Sequence, residues 1–459
     1  MRPDRSALLA AVFGGIGLLA VACASAPPSS VDPWTRAAAI VASIQPPSFP
    51  ARTFPVGDYG ARADGSDATP GLTAAIEACR RAGGGRVVVP AGTYRTGPLL
   101  LLSGVDLHLA RGAVLLFDTD PARYLPVVAT RWEGVDVMGL RPLVRAADAE
   151  DVAITGEGVL DGGAGPERWW PWKTASKPAR DQLFKDAEAG VPPERRVYGV
   201  ESFLRPSFFE PVRCRRVLVE GVTFKGAPFW VLHPVLSQDV TVRGVTVSSA
   251  GPNNDGCDPE SCSGVLIEDS TFDTGDDCIA LKSGRNADGR RVNVPVERVV
   301  VRRCRMRAGH GGVTIGSEVT GGARDVFVER CTMSSPDLER GIRIKSNAMR
   351  GGTVENVFVR DVEIGEVRTA VDVDLTYEEG AKGSFQPVVR NVRIERLTAA
   401  KAVRAFLLKA IPGAPISGLT VSGSAFRGLT EPSVVQGDVS LALENVTFDP
   451  PRFGPPPRS

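Results

Sequence analysis

The stretch GPNNDGCDPESCSGVLIEDSTFDTGDDCIALKSG, residues 251–284, sets three aspartates, Asp255, Asp276 and Asp277, among short β-branched runs that read as buried strands. A carboxylate beside a carboxyl that holds its proton does general acid–base work, and glycosidic cleavage needs such a pair. Successive strand residues point to opposite faces. One of two adjacent aspartates would therefore normally enter the core unpaired, at high cost. Both reach the outside only where the strand is broken, and Gly275 is read as supplying that backbone freedom. Like charges this close raise the proton affinity of at least one of them. Asn253 and Asn254 have a plainer explanation, since Asn at turns bonds its own backbone.

Other residues share the register of these acids. His310 lies among glycines in AGHGGVTIG, and Arg343 and Lys345 stand at i and i+2 in RGIRIKSN, on one face of a strand. Asp276 is 11 residues after Val265 and His310 is 11 after Val299; Asp255 is 15 after Val240 and Arg343 is 17 after Val326, each behind a longer turn. Exposed basic residues are usually just solvated. Two on the face that carries the acids read instead as a clamp for an anionic substrate.

The valines used as markers belong to a repeat. VLVEGVTF at 217, VTVRGVTV at 240, VLIEDSTF at 265, VVVRRCRM at 299 and VFVERCTM at 326 continue as VFVRDVEI at 357, VRIERLTA at 392, LTVSGSAF at 419 and LALENVTF at 441. Each copy alternates apolar and polar, breaks at a polar or glycine pair, and resumes: two short strands with a bend. The spacing, from 22 to 35 residues, and the lack of helical patterns between copies give stacked rungs, a single-domain all-β parallel β-helix. Rungs about 4.8 Å apart bring Asp255, Asp276, Asp277, His310, Arg343 and Lys345 into one stripe roughly 15–20 Å long. The sixth pattern position, from Val222 through Cys304 and Cys331 to Val446, is an internal ladder. Cys304 and Cys331 are expected there as stacked thiols, because free Cys packs as a small hydrophobe. GLTAAIEACRRAGGG, with Leu72, Ile76 and Cys79 on one side, is expected to cap the open end of the solenoid.

Composition agrees: 50 glycines, 36 prolines and only 6% aromatics in 459 residues favour strands and tight turns. The formal net charge of +1 leaves no basic excess for nucleic acid. No C-x-x-C pair points to zinc, and no cofactor or metal is implied. Residues 1–23 read as an export signal, either cleaved at an A-x-A site or lipidated at Cys23 in LLAVACASA. Residues 24–53 read as a loose linker, 54–449 as the β-helix domain of a monomer and 450–459 as a disordered tail.

PNNDG, DTGDDCIALKSG, GHGGVTIGS and RGIRIKSN occur in this order and resemble the four motif segments of the polygalacturonases, glycoside hydrolase family 28. DYGARADG and ITGEGVLDG resemble bacterial members, so the likeness covers roughly residues 54 to 448. It implies a right-handed parallel β-helix that hydrolyses α-1,4-galacturonosidic bonds of pectin with inversion and without a metal. It also implies Asp276 as general acid, Asp255 and Asp277 as activators of water, and His310 as support of the acid. Asn253, Arg343, Lys345 and Tyr377 are implied as substrate ligands. Asn254 stands where many members have Thr. Glu318 and the insert at 171–203 point to a blocked cleft and exo action. The alternatives are hydrolysis of a rhamnose- or xylose-bearing pectin backbone, a lyase with Ca²⁺ on the aspartates and Arg343 or Lys345 as base, and a non-catalytic adhesive β-helix.

Overall fold

In the computed structural model, residues 32–455 are described. Residues 1–23, read from the sequence as an export signal ending at Cys23, and the last four residues of the tail lie outside them. The chain winds as a right-handed parallel β-helix, and the repeat sets its register. Val217, Val240, Val265, Val299, Val326, Val357, Val392 and Leu419 pair one above the next in consecutive parallel strands. The break inside each copy is a left-handed residue: Gly221, Gly244, Asp269, Arg303, Arg330, Asp361, Arg396, Gly423 and Asn445 all have positive φ. Asp, Asn and Gly tolerate that region best, which is why the break reads as a polar or glycine position. A second left-handed ladder stands one residue before the marker valines, at Arg216, Asp239, Gly264, Arg298, Asp325, Asn356 and Asn391.

The internal ladder is as expected. Cys304 and Cys331 are buried free thiols. Ser270 is tolerated beside them because its hydroxyl donates to the Glu268 carbonyl and accepts from the Val245 amide. One helix, α2 (Thr69–Arg81), buries Leu72, Ile76 and Cys79 over the first rungs.

Residues 24–53 are not simply a linker. They contain α1 (Pro33–Ser43), capped by the Asp32 carboxylate, which accepts from the Trp34 amide at 3.1 Å. Trp34, Ala37, Ile40 and Ile44 cover Leu266, Val300, Phe327 and Phe358 on the outside of the solenoid. Those four stand at the second position of consecutive repeat copies, where other copies carry Thr241 or Arg393. An apolar run at an outward position was the signal that something must cover it. Trp34→Ala is expected to cost about 3 kcal/mol, the loss of a buried aromatic, read as a lower urea midpoint. An unchanged midpoint would mean the helix rests on the barrel without stabilising it. The tail is also partly held: the Ser433 amide and hydroxyl both donate to the Phe453 carbonyl.

The solenoid is interrupted by helices that the strand repeat does not announce. The insert holds α3 (Trp172–Ala175) and α4 (Lys177–Glu188), and α5 (Asn286–Val292) follows the GDD segment. Leu183 and Ala187 of α4 pack with Trp132, Val135, Val137, Leu204, Phe229 and Trp230. Val128–Trp132 and Val135–Gly139 form an antiparallel hairpin beside them, outside the solenoid.

Candidate active site

The face that carries the acids is built from short parallel strands: Ile279–Leu281 pairs with Val313–Ile315, which pairs with Arg340–Lys345. One rung earlier Cys257 bridges to Ile279. Asp255, Asp276, Asp277 and His310 lie in the corners that lead into these strands, and Arg343 and Lys345 lie in the strand itself. The stripe read from the repeat is therefore present. One carboxylate oxygen from each of Asp255, Asp276 and Asp277 lies within 4.8 Å of the other two.

Gly275 acts differently from expectation. It is not in the left-handed region; a Cβ there would stand 2.2 Å from the Gly251 carbonyl oxygen of the rung below. The glycine permits close stacking, and the corner between Thr271–Thr274 and Ile279–Leu281 turns both aspartates to one side.

Each acid has its own surroundings. Asp276 is the accessible one, with His310 Nδ1 2.9 Å from its Oδ1. Burial works to raise its proton affinity, yet the His310 contact and the Lys345 charge win and hold it at about 2. His310 is raised in turn, chiefly by that hydrogen bond. The proton shared by the pair thus favours the imidazole over the carboxylate, one hydrogen bond from Asp276, and the two titrate as a unit. Asp255 is buried; burial first, then the Asp276 charge, raise it well above the usual carboxylate range. Asp277 is fully buried. Its Oδ2 accepts from Lys345 Nζ at 2.8 Å and its Oδ1 from Thr314 Oγ1 at 2.9 Å.

Of the eight residues singled out in the sequence, Asn253, Asp255, Asp276, His310, Lys345 and Tyr377 line one cavity of about 210 Å³. Asp277 and Arg343 stand behind that wall. Arg343 Nη1 is 3.6 Å from Asp277 and its Cζ is 5.3 Å from the Tyr377 ring. Lys345 Nζ is 5.0 Å from the same ring. Asn253 has positive φ, as a turn residue should, but its side chain does not bond its own backbone. Its Oδ1 accepts from Lys173 and Arg205 at 2.7 and 2.8 Å. Asn254 is the structural one, buried and accepting from Ser249 and Gly251 while donating to the Phe229 carbonyl.

Several residues were missed. Lys282 Nζ lies 3.5 Å from Asp255, 3.2 Å from Glu318 and 4.3 Å from the centre of the Trp230 ring. Its signal was in the repeat: Leu281 aligns through Ile315 with Ile344, so the KS pairs at 282 and 345 are equivalent positions two rungs apart. Asp258 is fully buried with neither oxygen hydrogen-bonded, and burial raises it well above the carboxylate range. Arg205, donating to the Pro228 and Pro252 carbonyls and to Asn253, carried no signal; it sits alone in irregular chain.

The cavity is closed on its sides. Glu318 accepts from Arg285, whose other nitrogen reaches Glu379 at 3.2 Å. The Arg285 guanidinium also lies 4.1 Å from the Phe184 ring centre on α4. Glu378 and Glu379 are tied again by Arg350. The insert and the Glu318 segment thus meet around one small chamber, below the roughly 300–1,000 Å³ of sites for drug-sized ligands.

A parallel β-helix whose outer face carries three crowded carboxyls, an imidazole and buried cations in a cleft defines a class of enzyme. The chain belongs to the glycosyl hydrolases family 28, whose model matches residues 199–437. It is 39% identical to the hyperthermoactive exopolygalacturonase from Thermotoga maritima, with a TM-score of 0.88 over 92% of this chain and 97% of that one. It is 30% identical over 353 residues to a probable polygalacturonase of Vitis vinifera, covering 74% of this chain. It is 27% identical over 354 residues to an exo-poly-alpha-D-galacturonosidase of Dickeya chrysanthemi, covering 70% of this chain. The chain spans 66% and 56% of the length of those two relatives.

Proposed function

We propose that the protein hydrolyses the α-1,4-galacturonosidic bonds of polygalacturonate from a chain end, with inversion. The observation that carries the reading is the Asp276–His310 pair, beside two further carboxyls within 4.8 Å and a lysine-rich wall. In this reading Asp276 delivers the shared proton to the leaving oxygen. Asp255, whose raised affinity makes it the stronger base once ionised, works with Asp277 on the attacking water. Lys345, Arg343, Tyr377 and Asn253 hold the substrate.

The oxygen spacing is shorter than the roughly 6.5–9.5 Å of most inverting pairs. Direct attack by a carboxylate is nevertheless disfavoured. Both Asp277 oxygens are engaged by Lys345 and Thr314, and Asp255 is buried with a raised proton affinity. Water is left as the nucleophile. The lyase reading loses support for a related reason. Lys345, Lys282 and His310 nitrogens already stand 2.8, 3.5 and 2.9 Å from the acids, where a Ca²⁺ ion would need six to eight oxygen ligands.

Proton NMR of early products on polygalacturonate is expected to show the β-anomer of single galacturonate units, with no ultraviolet-absorbing unsaturated sugar and no effect of a chelator. A retained anomer would mean that a carboxylate attacks directly. Unsaturated product or chelator sensitivity would place the reaction among the lyases. A broad early ladder of oligomers would mean endo action.

Export as a monomer, with a lipid on Cys23 or plain cleavage, belongs to the same proposal and is supported by the apolar stretch SALLAAVFGGIGLLAVA ahead of Cys23. Mass spectrometry of the mature N-terminus and sedimentation of the purified protein test it. An intact Met1 in cells, or a dimer, would overturn the corresponding part.

A further inference from the structure

Part of the chamber's lining comes from two elements that are not part of the solenoid. The hairpin turn is a Glu133–Gly134 pair between the paired residues Trp132 and Val135. Both have positive φ, 42° and 79°, the pattern of a tight two-residue hairpin. Gly134 is required twice over, since a Cβ there would stand 2.7 Å from the Arg285 amide nitrogen and 3.0 Å from Glu318 Cγ. The turn therefore dips between the residues that close the chamber and presents Glu133 to it. Glu133 is 8% exposed and lines the cavity, with no hydrogen bond or ion pair to any described residue. Burial raises its proton affinity, against the charge of Arg285.

The second element is the helical insert, which brings Lys173 and Arg180 to the same lining. Lys173 spends one of its three donors on Asn253. Arg180 is weakly committed: its nearest acid, Asp181, is 3.7 Å away and half-exposed, its buried Nε has no hydrogen-bond partner, and its Cζ lies 5.7 Å from the Phe184 ring centre. Among the other cations around the chamber, Lys345 is bound to Asp277, Lys282 stands between Asp255 and Glu318, and Arg285 is held by Glu318 and Glu379. Lys173 and Arg180 thus keep donors to spare and line the same chamber as Asp255 and Asp276.

We infer that Lys173, Arg180 and Glu133 form the recognition site for the terminal sugar: the two cations take its carboxylate and Glu133 its hydroxyls. The inference rests on the chain-end reading above and adds to it the reason why a charged end unit is selected. A chamber that merely blocks the cleft would accept any sugar of the right size. One lined by two available cations distinguishes a uronate from its neutral counterpart.

D-galacturonate and D-galactose as competitive inhibitors of polygalacturonate hydrolysis read this directly. The wild type is expected to be inhibited far more strongly by galacturonate. Arg180→Gln and Lys173→Gln are each expected to raise the galacturonate inhibition constant by about ten- to a hundred-fold, the loss of one charge-assisted hydrogen bond, and to leave that of galactose unchanged. Glu133→Gln is expected to weaken both sugars alike. Lys173 is exposed, so its variant disturbs packing less than that of half-buried Arg180 and stands as the control for it. If both cation variants keep the galacturonate constant within about twofold while the wild type still releases single units, the inference is overturned and the chain-end reading stands. If the wild type itself yields a ladder of oligomers, the chain-end reading fails and takes this site with it.

Discussion

Asp276→Asn is expected to lower kcat on polygalacturonate by about three to five orders of magnitude, because protonation of the leaving oxygen and the pull of the His310 pair are lost together. The fold should be unaffected, since the side chain faces the chamber and touches His310 rather than the core. Two acids here compete for the role of proton donor, by different routes. Asp255 is raised by burial, whereas Asp276 is held at about 2 and draws its proton from the imidazole. A drop in rate alone does not separate them, but the leaving group does. A 4-nitrophenyl galacturonide departs without protonation, so Asp276→Asn should retain most of the wild-type rate on it and Asp255→Asn should not. The reverse pattern would make Asp255 the proton donor.

The same pair sets the sign of the pH dependence. His310 has a raised proton affinity, so the shared proton is present below the ordinary imidazole value near 6.5 and is lost only as pH climbs through the higher folded value. Activity is therefore expected to fall on the alkaline side above about 6.5, and to fall on the acid side as Asp255, raised above its ordinary value, becomes protonated. His310→Asn should remove the alkaline limb along with most of the rate. An unchanged alkaline limb in that variant would mean another group supplies the proton.

What was legible in the sequence was whatever the repeat carried. The marker valines, the left-handed breaks and the cysteine ladder are local consequences of stacking, and each copy restates them. The register then placed Asp276 and His310 on consecutive rungs by counting alone, and the structure brings them to 2.9 Å. What was not legible lies off the repeat. The eleven residues of α1 show only a sparse apolar stripe, and their reason for being helical is a patch hundreds of residues away. Glu133 and Arg180 come from single-occurrence segments, so no second copy marks them as special. Lys282 is legible only once the rungs are aligned, when ALKS and RIKS become equivalent. Gly275 was noticed for the wrong reason: flexibility and lack of a side chain are indistinguishable in a sequence, and only the approach of the Gly251 carbonyl decides between them.

Lys345→Ala is expected to lower kcat/KM by about two to three orders of magnitude, more than Arg343→Ala, although the two stand on one face of one strand. The difference lies in what each holds. Lys345 Nζ is 2.8 Å from an oxygen of Asp277, which is fully buried, and removing one partner of a buried pair costs roughly 3–5 kcal/mol because the other charge is left uncompensated. Arg343 stands 3.6 Å from Asp277 and 3.9 Å from Asp372, and its Nε has no hydrogen-bond partner. Its donors are freer for a substrate carboxylate, and its loss should cost about one to two orders of magnitude. Methyl-esterified substrate separates the roles. On it the Arg343→Ala penalty should largely vanish, since the charge served is already absent, while most of the Lys345→Ala penalty should persist. The persistence should disappear against Asp277→Asn: with the carboxylate gone, removing Lys345 adds little, and the two losses are far from additive. Equal penalties for both variants on free-acid and esterified chains, or additive losses in the double variant, would show that Lys345 does not act through Asp277 and that the difference between these two cations has another cause.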